Sequence, residues 1–518
     1  MTSPRRIFAI SWLSAIGLLA LGLLAFPAFP APSPGQAIII VVVTLLVMFG
    51  YKLWRGASRL TWLVVLAGLM ILPFGIVARG FGRVDTLAFL FHFQFGTQGA
   101  TLAGLEDAVS TAVIAVLLLL VVTIGLSKLL QRGRLVSMAL AFALFICNPG
   151  LRYGLQRLIE GPFDSGLQAS IVSPSLQATL GPQPDVLLLY LEGFERRYLE
   201  LPMFQDTADK MQQILGQATS FQDVRQVAGT GWSVAGVVAT QCGVPPVPNG
   251  LVFGDGFEKQ SGFLTGRTCL SDVLANAGYR NAFVVGSELE FGGLLNFLES
   301  HSFGQIAGIE EIRAAFPPDE FDAANLGWNV DDQMVFEMAL RRHGALLGTT
   351  DPYLLVVETY SLHDDEAITS RRCNGNAVAE RTSDIVHAAA CAADDVGLFL
   401  RAFEEQQGSR PVRIIVMSDH LSHYDGADLG MPQIGRRNLV EFIDDGQAGA
   451  TIQKTGTMLD VYPTILDWLD LFSGPEQAGL GVSLFSDLPT LVEQYGEDAL
   501  SEAFLKDAGL AVAIWSDG

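Results

Sequence analysis

The chain of 518 residues is 50% hydrophobic and only 17% charged, yet its formal net charge is −22. A mean hydropathy of +0.37 excludes intrinsic disorder and is too high for a wholly water-soluble globule. The acidity excludes a plain membrane bundle and argues against nucleic acid as a partner.

The charge divides at Gly150. Up to that point ten Lys/Arg face three acids, Asp85, Glu106 and Asp107; beyond it 22 basic residues face 51 acidic ones. A basic, apolar segment 1–150 is therefore expected to precede an acidic soluble domain. Four apolar stretches reach bilayer-spanning length: Ile7–Phe26, Ala37–Leu53, Leu60–Ala78 and Ala108–Leu126. A fifth, Leu135–Cys147, reaches it only with its flanks. The first is not followed by a small-residue cleavage site and a polar mature domain, as a signal peptide would be. Basic residues fall in alternate connections: Arg5 and Arg6; Lys52, Arg55 and Arg59; Lys128, Arg132 and Arg134. The positive-inside rule then puts the N-terminus in the cytoplasm, and five spans send the large domain outside.

Leu151–Leu167 could lie as an amphipathic helix at the membrane surface, and the polar stretch Ser173–Pro184 reads as a linker. Residues 151–184 thus join the bundle to a domain over 185–518. Of five cysteines, Cys147 belongs to the fifth apolar stretch, while Cys242, Cys269, Cys373 and Cys391 lie beyond it. An even set at loop-length intervals fits two disulfides in an oxidising compartment. A zinc site is the rival, but no CxxC or HxxxH pair is present.

From Asp185 short apolar runs alternate with helical patterns, as in a doubly wound α/β sheet. Val186–Leu191 is a continuous apolar run ending in Glu192-Gly193, and Val412–Met417 a β-branched run ending in Ser418-Asp419-His420. Ligands bind such sheets beyond the carboxyl ends of the strands, where these residues could share a divalent cation. Taken singly, an acid at a strand end is more often a turn or cap. Between them lies Ala228-Gly229-Thr230-Gly231-Trp232-Ser233, followed by the helical pattern VAGVVAT. A hydroxyl at that helix N-terminus would meet free N–H groups suited to phosphate. An ordinary Ser or Thr N-cap explains the segment equally simply. No GxxxxGK[ST] loop is present, which argues against a nucleotide substrate.

LYLEGFERRYLE at 189–200, GTGWSVAGVVATQCGVP at 229–245 and SRRCN at 370–374 resemble the membrane-bound phosphoglycerol transferases that decorate osmoregulated periplasmic glucans. More remotely the chain resembles lipoteichoic acid synthases and the wider sulfatase and alkaline phosphatase superfamily. LDVYPTILDWL at 459–469 is similar to that superfamily's C-terminal element. The resemblance implies a multi-pass bacterial inner-membrane enzyme: a helical bundle of about five spans carrying a sulfatase-like α/β domain in the periplasm. It implies one divalent cation, Mn²⁺ or Mg²⁺, held by Glu192, Asp419, His420 and a hydroxyl of GTGWS that is also the nucleophile. It further implies contact of His363 with the transferred group, and the disulfides Cys242–Cys269 and Cys373–Cys391. The donor would be phosphatidylglycerol and the acceptor a periplasmic glucan, through a covalent glycerophospho-enzyme.

Between the two hydroxyls, Ser233 is expected to attack, because it begins the helical pattern and its interval to Gly243 and Pro245 fits the superfamily better. Thr230 is expected to shape the loop or contact phosphate. This chain departs from its likenesses at Ser287-Glu288-Leu289-Glu290, where they carry a basic residue, and at Asp364-Asp365 after His363. A sulfatase would need Pro two residues and Arg four residues after the nucleophile, and neither follows Ser233. A phosphoethanolamine transferase is the adjacent alternative, and a non-catalytic glucan-binding protein a more distant one. Of the remaining histidines, His423 is a candidate to support the cation's ligands, and His301, His343 and His387 read as structural or solvated. His92, in a loop FHFQFG between spans, has no assigned role. Asp331-Asp332, after Gly327-Trp328, reads from the residues alone as a solvated helix start, whereas the resemblance implies that this region lines the site.

Overall fold

The computed structural model describes residues 86–95, 163–177, 183–248, 262–327, 329–363, 367–375, 377–406, 408–424, 426–444 and 447–516. The five expected spans, Cys147, and most of Leu151–Leu167 lie outside them. Among the described residues no helix is long and apolar enough to cross a membrane. The chain divides into two units, 1–72 with 110–144 and 73–109 with 145–518, and every described residue belongs to the second.

The centre of that unit is an eight-stranded sheet. The strands are β1 (Asp185–Leu191), β2 (Thr219–Arg225), β3 (Arg280–Val285), β4 (Gln305–Ala307), β5 (Tyr353–Glu358), β6 (Val412–Ser418), β7 (Val440–Asp444) and β8 (Thr451–Thr457). Their spatial order is β8-β2-β7-β6-β1-β5-β3-β4. Pairing is parallel except around β7, which runs antiparallel to both β2 and β6. The strand β1 is buried along its whole length, which is why DVLLLYL reads as one apolar run instead of an alternation. Its side chains still alternate between two cores. Val186, Leu188 and Tyr190 enter one with helices α3 (Ser233–Cys242), α4 (Leu270–Asn276) and α7 (Met458–Trp468). Leu187, Leu189 and Leu191 enter the other with α2 (Gln205–Leu215), α5 (Asp332–Leu347) and α6 (Ile385–Glu405). Helices on both faces of a mostly parallel sheet make the expected doubly wound α/β domain.

Two segments are docked where the sequence suggested loops. The stretch 163–177, partly assigned to a linker, is tied to the C-terminal region. Val172 bridges Gly479, Leu176 bridges Phe472, and the Ser165 hydroxyl donates to Asp507 at 2.6 Å. FHFQFG is not a loop: Thr86–Phe95 is a helix, α1, and Leu87, Ala88 and Phe91 are buried in the first core. Both expected disulfides are formed, Cys242–Cys269 and Cys373–Cys391. The first ties the end of α3 to the start of α4, below the site.

Candidate active site

Three neighbouring parallel strands deliver the acidic residues. Tyr190 of β1 pairs with Glu358 of β5, and Leu191 pairs with Ser418 of β6. The next residues of β1 and β6, Glu192 and Asp419, therefore emerge side by side at the carboxyl edge, with Glu358 on the other flank. All three are at most 3% exposed, as is His420. Gly193 N donates to Asp419 Oδ1 at 3.0 Å, and Glu192 N donates to Thr359 Oγ1 at 3.1 Å.

Ligand atoms of Glu192, Asp419 and His420 all lie within 4.8 Å of one another. His420 Nε2 is 2.8 Å from Glu192 Oε1 and 3.2 Å from Asp419 Oδ2. None of these three buried atoms has a hydrogen-bond partner, so the short distances are convergence without bonding. The imidazole tautomer explains why. His420 Nδ1 lies 2.8 Å from the carbonyl of Leu421, which can only accept, so Nδ1 carries a proton and Nε2 is the nitrogen left to serve as a ligand. Burial and the Asp419 carboxylate push Glu192 well above the usual carboxylate range. Burial, Asp419 and Glu192 do the same to Glu358. Buried acceptors facing one another without donors are costly unless a cation joins them. Two carboxylates and one imidazole suit a divalent cation.

Ser233 is the first residue of α3, and its hydroxyl donates to Glu192 Oε2 at 3.0 Å. The close seat of this helix on the strand edge depends on Gly236: a Cβ there would lie 2.0 Å from the Asp419 carbonyl oxygen. Thr230 is fully buried and its hydroxyl donates to the Val227 carbonyl at 2.8 Å, a bond that closes the loop before the helix. The ordinary N-cap explanation is not what the geometry displays, since α3 has no side-chain cap.

The histidines converge on the same place. His363 Nε2 is 3.9 Å from Glu192 Oε1, and its ring stacks on Tyr360 at 4.5 Å. His423 stacks on His420 at 4.7 Å and approaches the Gly231 carbonyl at 3.2 Å. Burial, with His420 and His363 nearby, holds His423 well below the usual imidazole range. It packs the His420 ring from one side and braces the loop before Ser233. His301 and His343 are buried and bonded, to Asp272 and Tyr353 respectively, while His387 is exposed.

A pocket open to solvent lies over Ser233, lined among others by Glu192, Trp232, Glu288, Glu358, His363 and His92. Three features in and around it go beyond the roles assigned from the sequence. Glu358 ends an apolar run, YLLVVE, the same signal that marks Glu192. His92 arrives on α1 from a distant part of the chain, and no local pattern marks it. Asp331 and Asp332 are not a solvated helix start: they are 0% and 2% exposed. Asp331 caps α5 through Met334 N, and Asp332 accepts from Tyr360 N at 2.6 Å and Ser361 N at 3.3 Å. Asp332 thereby fixes the loop that carries His363.

The sequence model of the sulfatase family matches residues 184–471, more than half of the chain. The chain is 27% identical over 453 residues to phosphoglycerol transferase I of Escherichia fergusonii, covering 84% of this chain and 58% of that protein. The same enzyme of Citrobacter koseri is 26% identical over 485 residues, covering 90% and 61%. The chain thus spans about three fifths of the length of these curated relatives. Among solved structures, a lipoteichoic acid synthase from Listeria monocytogenes aligns at 12% identity with a TM-score of 0.46, over 62% of this chain and 80% of that one. With the matched region covering β1 through β8 and every residue of the cation cluster, the chain belongs to the sulfatase family.

Proposed function

We propose that this protein transfers phosphoglycerol from phosphatidylglycerol to a hydroxyl of a periplasmic glucan, releasing diacylglycerol. One observation carries the reading: the Ser233 hydroxyl, at a helix N-terminus, touches a carboxylate whose other oxygen faces Asp419 and His420. The relatives named phosphoglycerol transferase I support the donor.

A divalent cation held by Glu192, Asp419, His420 and the Ser233 oxygen would neutralise the phosphodiester and lower the hydroxyl's pKa. Ser233 attacks phosphorus, diacylglycerol leaves, and a glycerophospho-serine remains. A glucan hydroxyl then attacks the same phosphorus and frees Ser233. The N–H groups of the first turn of α3 face the phosphoryl oxygens, and the helix dipole favours their charge. Thr230 holds the approach to Ser233, and His363 contacts the transferred group. Anchoring by the expected five spans confines the domain to the plane of its lipid donor, on the periplasmic side of the inner membrane.

The lining favours one alternative donor head group. No Lys or Arg lines the pocket among the described residues, whereas Glu288 and Glu358 do. An ammonium-bearing head group, as in phosphatidylethanolamine, would suit those acids. Incubating the full-length protein with Mn²⁺, labelled phosphatidylglycerol or phosphatidylethanolamine, and linear or cyclic glucans tests the proposal. Label in the glucan from phosphatidylglycerol supports it, and label only from phosphatidylethanolamine replaces the donor.

A further inference from the structure

His92 belongs to the 79–107 connection, which by sequence joins two membrane spans and lies far from the catalytic domain's own motifs. In the fold its helix α1 is built into that domain. Phe91 inserts beside Trp232, with ring centroids 5.1 Å apart, and beside Phe263 at 6.4 Å. The next residue, His92, is packed between Phe291 at 5.1 Å and Trp232 at 6.1 Å. It lines the same pocket as Ser233, Glu192, Glu358, Glu288 and His363.

The ring has a defined polarity. His92 Nδ1 is 2.7 Å from the Ala88 carbonyl, so Nδ1 carries a proton in either charge state and Nε2 is the atom that exchanges one. Nε2 lies over Gly292, where a Cβ would stand 3.6 Å from it, an ordinary contact, and 3.1 Å from Val234 Cγ2, a tight one. A side chain there would press on Val234 in the first turn of α3. Burial and the nearby His363 hold His92 below the usual imidazole range. Its protonated form is therefore a good acid toward a departing alkoxide.

Several groups around the reacting centre have other tasks. Glu192, Asp419 and His420 face one another around the cation position, and Asp332 and His423 brace loops. Resting on the phosphoglycerol-transfer reading, we propose that His92 Nε2 handles the proton of the oxygen that leaves and then of the oxygen that enters. As the Ser233 oxygen bonds phosphorus, the P–O bond to diacylglycerol breaks and that oxygen takes the proton from Nε2. In the second half-reaction the acceptor hydroxyl returns a proton to Nε2 as its oxygen bonds phosphorus and the Ser233 oxygen departs. Ser233 attacks and leaves as the alkoxide, so the proton count closes over the cycle. The segment between the expected spans thus supplies a catalytic residue.

The test compares two donors with the full-length protein and the variants His92→Gln and His92→Ala. Diacylglycerol needs a proton to leave phosphatidylglycerol, whereas nitrophenolate leaves glycerol p-nitrophenyl phosphate without one. In the first turnover both variants should release diacylglycerol at least about 100-fold more slowly than the wild type, while nitrophenolate release stays near the wild-type rate. Equal losses with both donors would reduce His92 to a structural role, and an undiminished lipid reaction would remove it from the chemistry. A wild-type protein inert toward phosphatidylglycerol would instead overturn the transfer reading itself.

Discussion

The Ser233 hydroxyl donates to Glu192 Oε2 at 3.0 Å, while Oε1 of the same carboxylate lies 2.8 Å from His420 Nε2. One side chain from the end of β1 therefore links the candidate nucleophile on α3 to the ligand cluster on β6. The candidate nucleophile and the candidate cation position share a single carboxylate, so loss of Glu192 should uncouple both.

Glu192→Ala should lower diacylglycerol release by at least about 100-fold, since a bound cation supplies several kcal/mol to such a reaction. Circular dichroism and the thermal midpoint should stay near those of the wild type, because the substitution removes a buried acid whose charge is unfavoured in the fold. Chelation should stop the wild type, and Mn²⁺ or Mg²⁺ should restore it. Full turnover by the variant would contradict the assignment.

Glu358 stands outside the cluster of Glu192, Asp419 and His420, yet Asp419 and Glu192 help push its carboxyl up. A cation beside it would favour its charged form, which in turn would help to hold the cation. Glu358→Gln should weaken Mn²⁺ binding about 10-fold, at the lower end of what groups supporting metal ligands contribute. Calorimetric titration measures this directly, and unchanged affinity would leave Glu358 outside the cation's field.

These two acids mark what is legible in the sequence. Apolar runs that stop at Glu192 and at Asp419-His420 announce buried parallel strands and their carboxyl ends, so the fold follows from local pattern, while the ligand set is what the family resemblance implies. Glu358 carries the same signal within YLLVVE. His92 carries none: its place beside Trp232 is set by tertiary packing of Phe91 in a distant core. Asp331-Asp332 reads as solvated because a helix start usually is. Here the Tyr360–His363 loop folds over it and takes Asp332 as an acceptor for two backbone N–H groups.

Burial drives the His343 imidazole down to about 4; its Nε2 shares a hydrogen bond with the Tyr353 hydroxyl at 2.8 Å. Its unfolded value is 6.5, so the unfolded chain binds more protons between the two values. The stability due to neutral His343 is therefore complete above that window and is lost as pH falls through it. Denaturant midpoints should fall as pH is lowered from 6.5 toward 4, and less so in His343→Gln, which keeps an acceptor for Tyr353. An equally steep fall in the variant would assign the acid sensitivity to other groups.

Alternating basic connections and two disulfides in the domain point to an extracytoplasmic C-terminal half. Alkaline phosphatase fused after Gly518 should be active in intact cells, and a fluorescent protein that matures only in the cytoplasm should stay dark. The opposite pattern would contradict both the five-span topology and a periplasmic acceptor.

The most direct measurement is the identity of the covalent intermediate. Full-length protein given phosphatidylglycerol and Mn²⁺ without an acceptor, then digested and sequenced by tandem mass spectrometry, should carry a glycerophosphoryl group on Ser233. Ser233→Ala should carry none, Ser233→Thr should carry it on the new hydroxyl, and Thr230→Ala should lose only part of the yield. An adduct mapped to Thr230, or diacylglycerol release with no adduct at all, would contradict the account.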